Sequence, residues 1–96
     1  MSSRDFEQIH NHYERLVLEE VARRAAQYPH FTDALLADVA CMALNRLPAR
    51  YVRHDADLMF YLTDEERRDT TAAVDEAVTA GFAQVNQRAP RLVPVS

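Results

Sequence analysis

The sequence predicts a mainly α-helical single domain of three principal helices, with a short extended segment between the second and the third. Three observations predict it. The 96 residues contain one glycine, Gly81, and no tryptophan, which suits helices better than a turn-rich β fold. Apolar residues recur at three-and-four spacing in three separate runs, the pattern of a stripe along a helix. Capping residues and prolines punctuate those runs where helices should start and stop. Apolar content of 48% and charged content of 27% are ordinary for a globular chain and argue against disorder. A core of this size is thin, so burial of a further apolar face in a homodimer is expected.

The first helix is expected over residues 3–27. Phe6, Ile9, Tyr13, Leu16, Val17, Val21 and Ala25 form its stripe. Ser2 or Ser3 caps its start, Asp5 and Glu7 suit the positive end of its dipole, and Pro29 disfavours helical geometry at Tyr28. Thr32 is the N-cap of a second helix from about 33 to 47, with Asp33 in its first turn. Leu35, Leu36, Val39, Met42, Ala43 and Leu47 give this helix a wide apolar face, Pro48 ends it, and its few charges mark it as central. Cys41, the only cysteine, falls inside that pattern and reads as a small buried hydrophobe.

"ARYVRHDADLMFYL", residues 49–62, has no helical period. It reads as extended, with strand or edge pairing at 50–53 and 58–62, or equally as a single helical turn. "TDEE" then announces the third helix: Thr63 at the N-cap and Glu66 three residues on form a capping box. The stripe Thr71, Val74, Ala77, Val78, Phe82 and Val85 carries this helix to about residue 87. Gly81 weakens its middle by up to ~1 kcal/mol relative to alanine, unless another helix packs too closely for a side chain. "QRAPRLVPVS" reads as a proline-broken tail, loosest over 91–96.

Charge narrows the function. Fifteen acids against eleven bases leave a net charge of −4, which argues against a broad footprint for long nucleic acid. All eleven bases are arginine; codon bias accounts for that, yet each one offers planar, bidentate donors to a phosphate or a guanine. The opening "MSSRDFEQIH" has no basic region followed by an apolar one, and no run approaches the ~18 apolar residues of a membrane span, so a cytoplasmic protein is expected.

Few residues suggest chemistry. There is no glycine-rich phosphate loop, no G-x-S-x-G and no Cys/His pairing. The carboxylate pairs Glu19–Glu20 and Asp55–Asp57 lack a neighbour that would separate their pKa values. No enzyme is expected. His10 and His12, two apart, would point to different helix faces, and His10 with Glu14 reads as a surface polar pair. His30 and His54 fall singly in connecting segments, so no metal site is expected.

The stretch "DVACMALNRLPARYVR", residues 38–53, is different. Arg46 sits in the last turn of the second helix, where its charge also complements the dipole. Pro48 turns the chain, so Arg50 and Arg53 leave on an extended path with Tyr51 and Val52 alternating in direction. An arginine beside an exposed ring clamps a purine: the ring stacks on the base while the guanidinium takes the Hoogsteen edge or a phosphate. The alternative is a solvated arginine rim with Tyr51 in the core.

"LADVACMALNRLPARYV" resembles the signature of the late competence development protein ComFB family, D-V-x-x-x-A-L-N-x-L-P-P-x-Y. The matching residues are Asp38, Val39, Ala43, Leu44, Asn45, Leu47, Pro48 and Tyr51, with Ala49 in place of the second proline. "NHYERLVLEEV" is similar to the family's N-terminal N-x-x-E-x-L-V-x-E-E-V segment through Asn11, Glu14, Leu16, Val17, Glu19, Glu20 and Val21. The resemblance covers roughly residues 6–60.

It implies a small, mainly helical, homodimeric bacterial protein. Its partner would be a cyclic dinucleotide, cyclic di-GMP above all or cyclic di-AMP, with a role in competence or motility regulation. On that resemblance Arg46, Arg50 and Arg53 supply guanidinium contacts, and Tyr51 a stacking surface or a hydroxyl. Asn45 reads a base edge or caps the helix end, and Asp38 accepts from guanine N1 and N2 or orients an arginine. The alternative for Asn45, Leu47 and Pro48 is structural: they would fix the helix stop and the dimer surface. Some members carry a cysteine cluster that suggests structural zinc. "QYPHFTDALLADV" has no cysteine, so no zinc is expected, and Tyr28, Pro29 and Phe31 should hold the loop by packing. Two other readings are a protein–protein adaptor that binds no nucleotide and a DNA-associated regulator, the latter weakened by the acidic balance.

Overall fold

The computed structural model describes residues 6–54 and 60–92, with side chains to Arg88. Three helices form the body: α1 (His12–Arg24), α2 (Asp33–Arg46) and α3 (Asp64–Leu92). A two-stranded antiparallel ribbon, β1 (His10–Asn11) with β2 (Tyr51–Val52), joins the start of α1 to the exit of α2. No described helix is long and apolar enough to cross a membrane.

α2 is the central helix, as its composition predicts. It is capped by the Thr32 hydroxyl, which accepts from the Leu35 amide at 3.2 Å, and it buries Leu35, Val39, Ala40 and Ala43. α3 lays Val74, Ala77, Val78, Phe82 and Val85 against it, while α1 contributes Tyr13, Val17 and Val21 to the same core. At Gly81 α2 and α3 approach closely. A Cβ there would stand 2.9 Å from the Val39 carbonyl oxygen and 3.3 Å from Val39 Cγ1, so close helix packing accounts for the glycine. The loop between α1 and α2 is held by aromatic stacking. Tyr28 lies over Phe82 with ring centroids 4.2 Å apart, and Phe31 packs 5.1 Å from Tyr28 and 5.7 Å from Phe82. Pro29 is exposed and adds the turn rather than the packing.

Several expectations need correction. The first helix does not run unbroken over 3–27. Phe6–Glu7 form one helical turn, the chain turns and extends through β1, and α1 begins only at His12, ending in a 3-10 turn over Ala25–Gln27. Pairing with β2 overrides the helical period here, and Phe6 and Ile9 stay exposed, outside the core stripe. Ser2, Ser3 and Asp5 lie outside the described residues.

Cys41 is exposed rather than buried. It follows Val39 by two residues, about 200° round the helix, which takes it to the face opposite the core. The extended reading holds at Tyr51–Val52 and the alternative of a helical turn at Phe60–Tyr61, while 58 and 59 lie outside the described residues. The N-cap half of the capping box forms at Thr63, with the Glu66 amide donating to the Thr63 hydroxyl at 3.1 Å, while the Glu66 carboxylate accepts from that hydroxyl at 3.2 Å. α3 continues past the expected end at 87 to Leu92, running through Pro90. A proline gives up one ladder bond, a loss met here by a helix with little left to form. Residues 93–96 lie outside the described part.

Candidate functional site

The exit of α2 is shaped by local rules. After Arg46 the chain takes an extended backbone at Leu47, whose amide makes a tight bond back to the Leu44 carbonyl at 3.2 Å. Pro48 cannot continue the helix, and by Tyr51 the chain is a strand. The ribbon register pairs Asn11 with Tyr51 and His10 with Val52. Beyond it, the His12 amide donates to the Arg50 carbonyl at 2.7 Å. Asn11 Oδ1 accepts from the Arg50 amide at 3.1 Å and from the Tyr13 amide at 3.2 Å, the second bond capping α1.

Of the six residues expected to bind ligand, this exit gathers three. Tyr51 lies in the two-residue strand β2, with Arg50 and Arg53 flanking it, all three exposed. The Tyr51 ring is 70% exposed, so it is not a core residue. Arg46 reaches from the last turn of α2 to α3, where its guanidinium meets Glu76 at 3.1 Å, and this ion pair rather than the helix dipole alone engages its charge. Asp38 and Asn45 share the outward face of α2, both exposed and two turns apart, about 10 Å of helix rise. They are not brought into one cavity with the arginines.

Two recesses flank the region. A shallow one of about 290 Å³ is lined by Tyr13, Pro48, Arg50, Glu66, Asp69 and Thr70 among others. A larger groove of about 750 Å³ runs between α1 and α3 over Leu16, Leu62 and Val74, with Arg23, Arg67 and Arg68 at its rim, and contains none of the six. The size of this groove does not make it the site, because its rim charges are largely committed. Arg23 and Arg24 both hold Glu20, Arg24 also reaches Asp75 and the Thr79 hydroxyl, and Arg67 stands 3.6 Å from Asp64. Hydrogen bonding from Arg23 leads the causes that lower the Glu20 carboxyl pKa from 4.5 to about 2, against the opposing cost of burial. The same contact raises the Arg23 pKa. Among the described residues no group of three or more His, Cys, Asp or Glu is gathered to hold a metal.

Sequence reasoning missed three residues here. Asn11 is the joint between helix and strand, and its signal was available: Asn11 with Glu14 three residues on is a helix-start pattern. His12, read only as a poor metal partner for His10, is buried at the first position of α1. Arg24 straps α1 to α3 through partners more than fifty residues away, which no local pattern announces.

A family model described as late competence development protein ComFB matches residues 10–89. No curated protein and no solved structure matches the chain.

Proposed function

The chain belongs to the late competence development protein ComFB family, and from that premise we propose that it is a receptor for a cyclic dinucleotide, cyclic di-GMP foremost. It acts as a small dimeric regulatory protein and not as a catalyst. The observation that carries the reading is the Tyr51 ring, 70% exposed between Arg50 and Arg53 on a strand whose backbone is pinned to α1. Exposure of a large ring costs a solvation advantage unless something covers it. A cyclic dinucleotide offers groups of matching chemistry: purine faces for the ring, and phosphates and Hoogsteen edges for the guanidiniums. Arg46 joins by exchanging or sharing its contact with Glu76, and Asp38 and Asn45 extend the contact only where ligand or a second copy reaches the outward face of α2.

Calorimetric titration with cyclic di-GMP and cyclic di-AMP tests this. Binding is expected with cyclic di-GMP, and Arg50→Ala should weaken it by about tenfold or more, the worth of one bidentate contact, with little change in thermal midpoint. No heat and no thermal shift at high micromolar ligand would sink the reading. Light scattering on the same samples reads the dimer, and a monomer mass would overturn that part.

A second reading has an observation of its own. Phe60 and Tyr61 are 79% and 78% exposed and meet edge to face at 5.4 Å. An exposed aromatic pair of this kind marks protein surfaces that meet other proteins, and an adaptor in competence or motility regulation would use it without any nucleotide.

A further inference from the structure

We infer that Asn11 is a positioning residue for the arginine strand: its side-chain oxygen replaces a missing ladder carbonyl and fixes Arg50. The inference rests on the reading of this strand as the ligand strand. With Asn11 opposite Tyr51 and His10 opposite Val52, the next pair in register is His12 with Arg50. Such a pair in an antiparallel ladder exchanges two hydrogen bonds. One of them is made, from the His12 amide to the Arg50 carbonyl at 2.7 Å. The return bond would need the His12 carbonyl, but His12 is the first residue of α1 and its carbonyl is turned along the helix axis. The Arg50 amide donates instead to Asn11 Oδ1 at 3.1 Å.

The same oxygen accepts from the Tyr13 amide at 3.2 Å, satisfying one of the donors that every helix start leaves open. One atom therefore serves both the first turn of α1 and the last donor of the strand. Serine caps helices as well as asparagine does, but its oxygen lies one bond nearer the backbone and has less reach toward Arg50. The double contact also links the two elements thermodynamically. A ligand that steadies Arg50 must steady the Tyr13 amide, and a firmer helix start must favour the ligand by the same factor.

The test compares the wild type with Asn11→Ser, which keeps the cap, and Asn11→Asp, which keeps an acceptor oxygen at the same reach for both amides. Amide hydrogen exchange at Arg50 and Tyr13 is read by NMR, and cyclic di-GMP affinity by calorimetry at fixed salt. In Asn11→Ser the Arg50 amide should exchange, and the ligand dissociate, roughly two- to tenfold more readily, the worth of one hydrogen bond. Tyr13 protection and thermal midpoint should hold near wild type, and Asn11→Asp should restore Arg50 protection. Unchanged Arg50 exchange in Asn11→Ser overturns the inference whatever the affinity, and faster exchange with unchanged affinity overturns the positioning role. A wild type that binds no cyclic dinucleotide, while Asn11→Ser still frees Arg50, overturns the receptor reading and upholds the joint.

Discussion

Phe82 and Tyr51 are both large aromatic residues, and the molecule treats them oppositely. Phe82 is 1% exposed at the seam of α2 and α3, stacked on Tyr28 and touching Phe31. Tyr51 stands in water on a strand fixed by backbone bonds and one asparagine. The first region is held by apolar burial and shape, the second by a few polar contacts that leave the Tyr51 ring exposed. The difference separates what keeps the chain folded from what the folded chain presents.

Truncating the two rings sharpens that contrast most. Phe82→Ala should lower unfolding free energy by about 3–5 kcal/mol, as expected for emptying a packed aromatic site. The same change at Tyr51 should stay within about 0.5 kcal/mol, as for a surface position. Urea unfolding of both variants checks the pair, and a large loss at Tyr51 would break the comparison.

A smaller effect is expected at Gly81. Alanine gains up to ~1 kcal/mol in helix propensity, but its Cβ would press on the Val39 backbone oxygen at 2.9 Å. Backbone cannot yield as a flexible side chain does, and overpacking of this kind costs about 1–3 kcal/mol. Gly81→Ala should therefore destabilise the protein on balance, and a rise in thermal midpoint would show that α2 and α3 can separate cheaply.

The α1–α3 seam gives the smallest effect, one that depends on pH. The Glu20 pKa falls from 4.5 to about 2 on folding, so the unfolded chain takes up its proton first. Its contribution is full above pH 4.5, declines as the pH falls, and is gone near pH 2. Glu20→Gln should remove that part of the acid slope in unfolding experiments from pH 7 down to about 2. An unchanged slope would place the acid sensitivity elsewhere.

What the sequence disclosed and what it hid follow from range. Caps at Thr32 and Thr63, the proline stop at 48 and the apolar stripes act over a few residues, and the helices formed where those signals stand. The break at residues 8–11 was hidden because its cause, β2, lies some forty residues downstream, and the period through Ile9 and Tyr13 continues regardless. Cys41 was misplaced through phase: an apolar residue inside a good stripe still faces outward when it sits two positions from a core valine. At the candidate site the residue types were legible, but their engagement was not. Nothing near Arg46 in the chain foretells Glu76 across the helix pair, and Asp38 and Asn45 share a helix with Arg46 without facing its partners.

The ribbon also dictates an order of assembly. It joins residue 10 to residue 52, so α1, the loop and α2 all lie within the span that must close. Closing a long span for two short strands is entropically unfavourable until the helices between them have packed. This arginine-flanked strand is thus expected among the last pieces to form and the first to open in local fluctuations. A nascent or half-unfolded chain, however rich in arginine, presents no such strand until the helical body is complete.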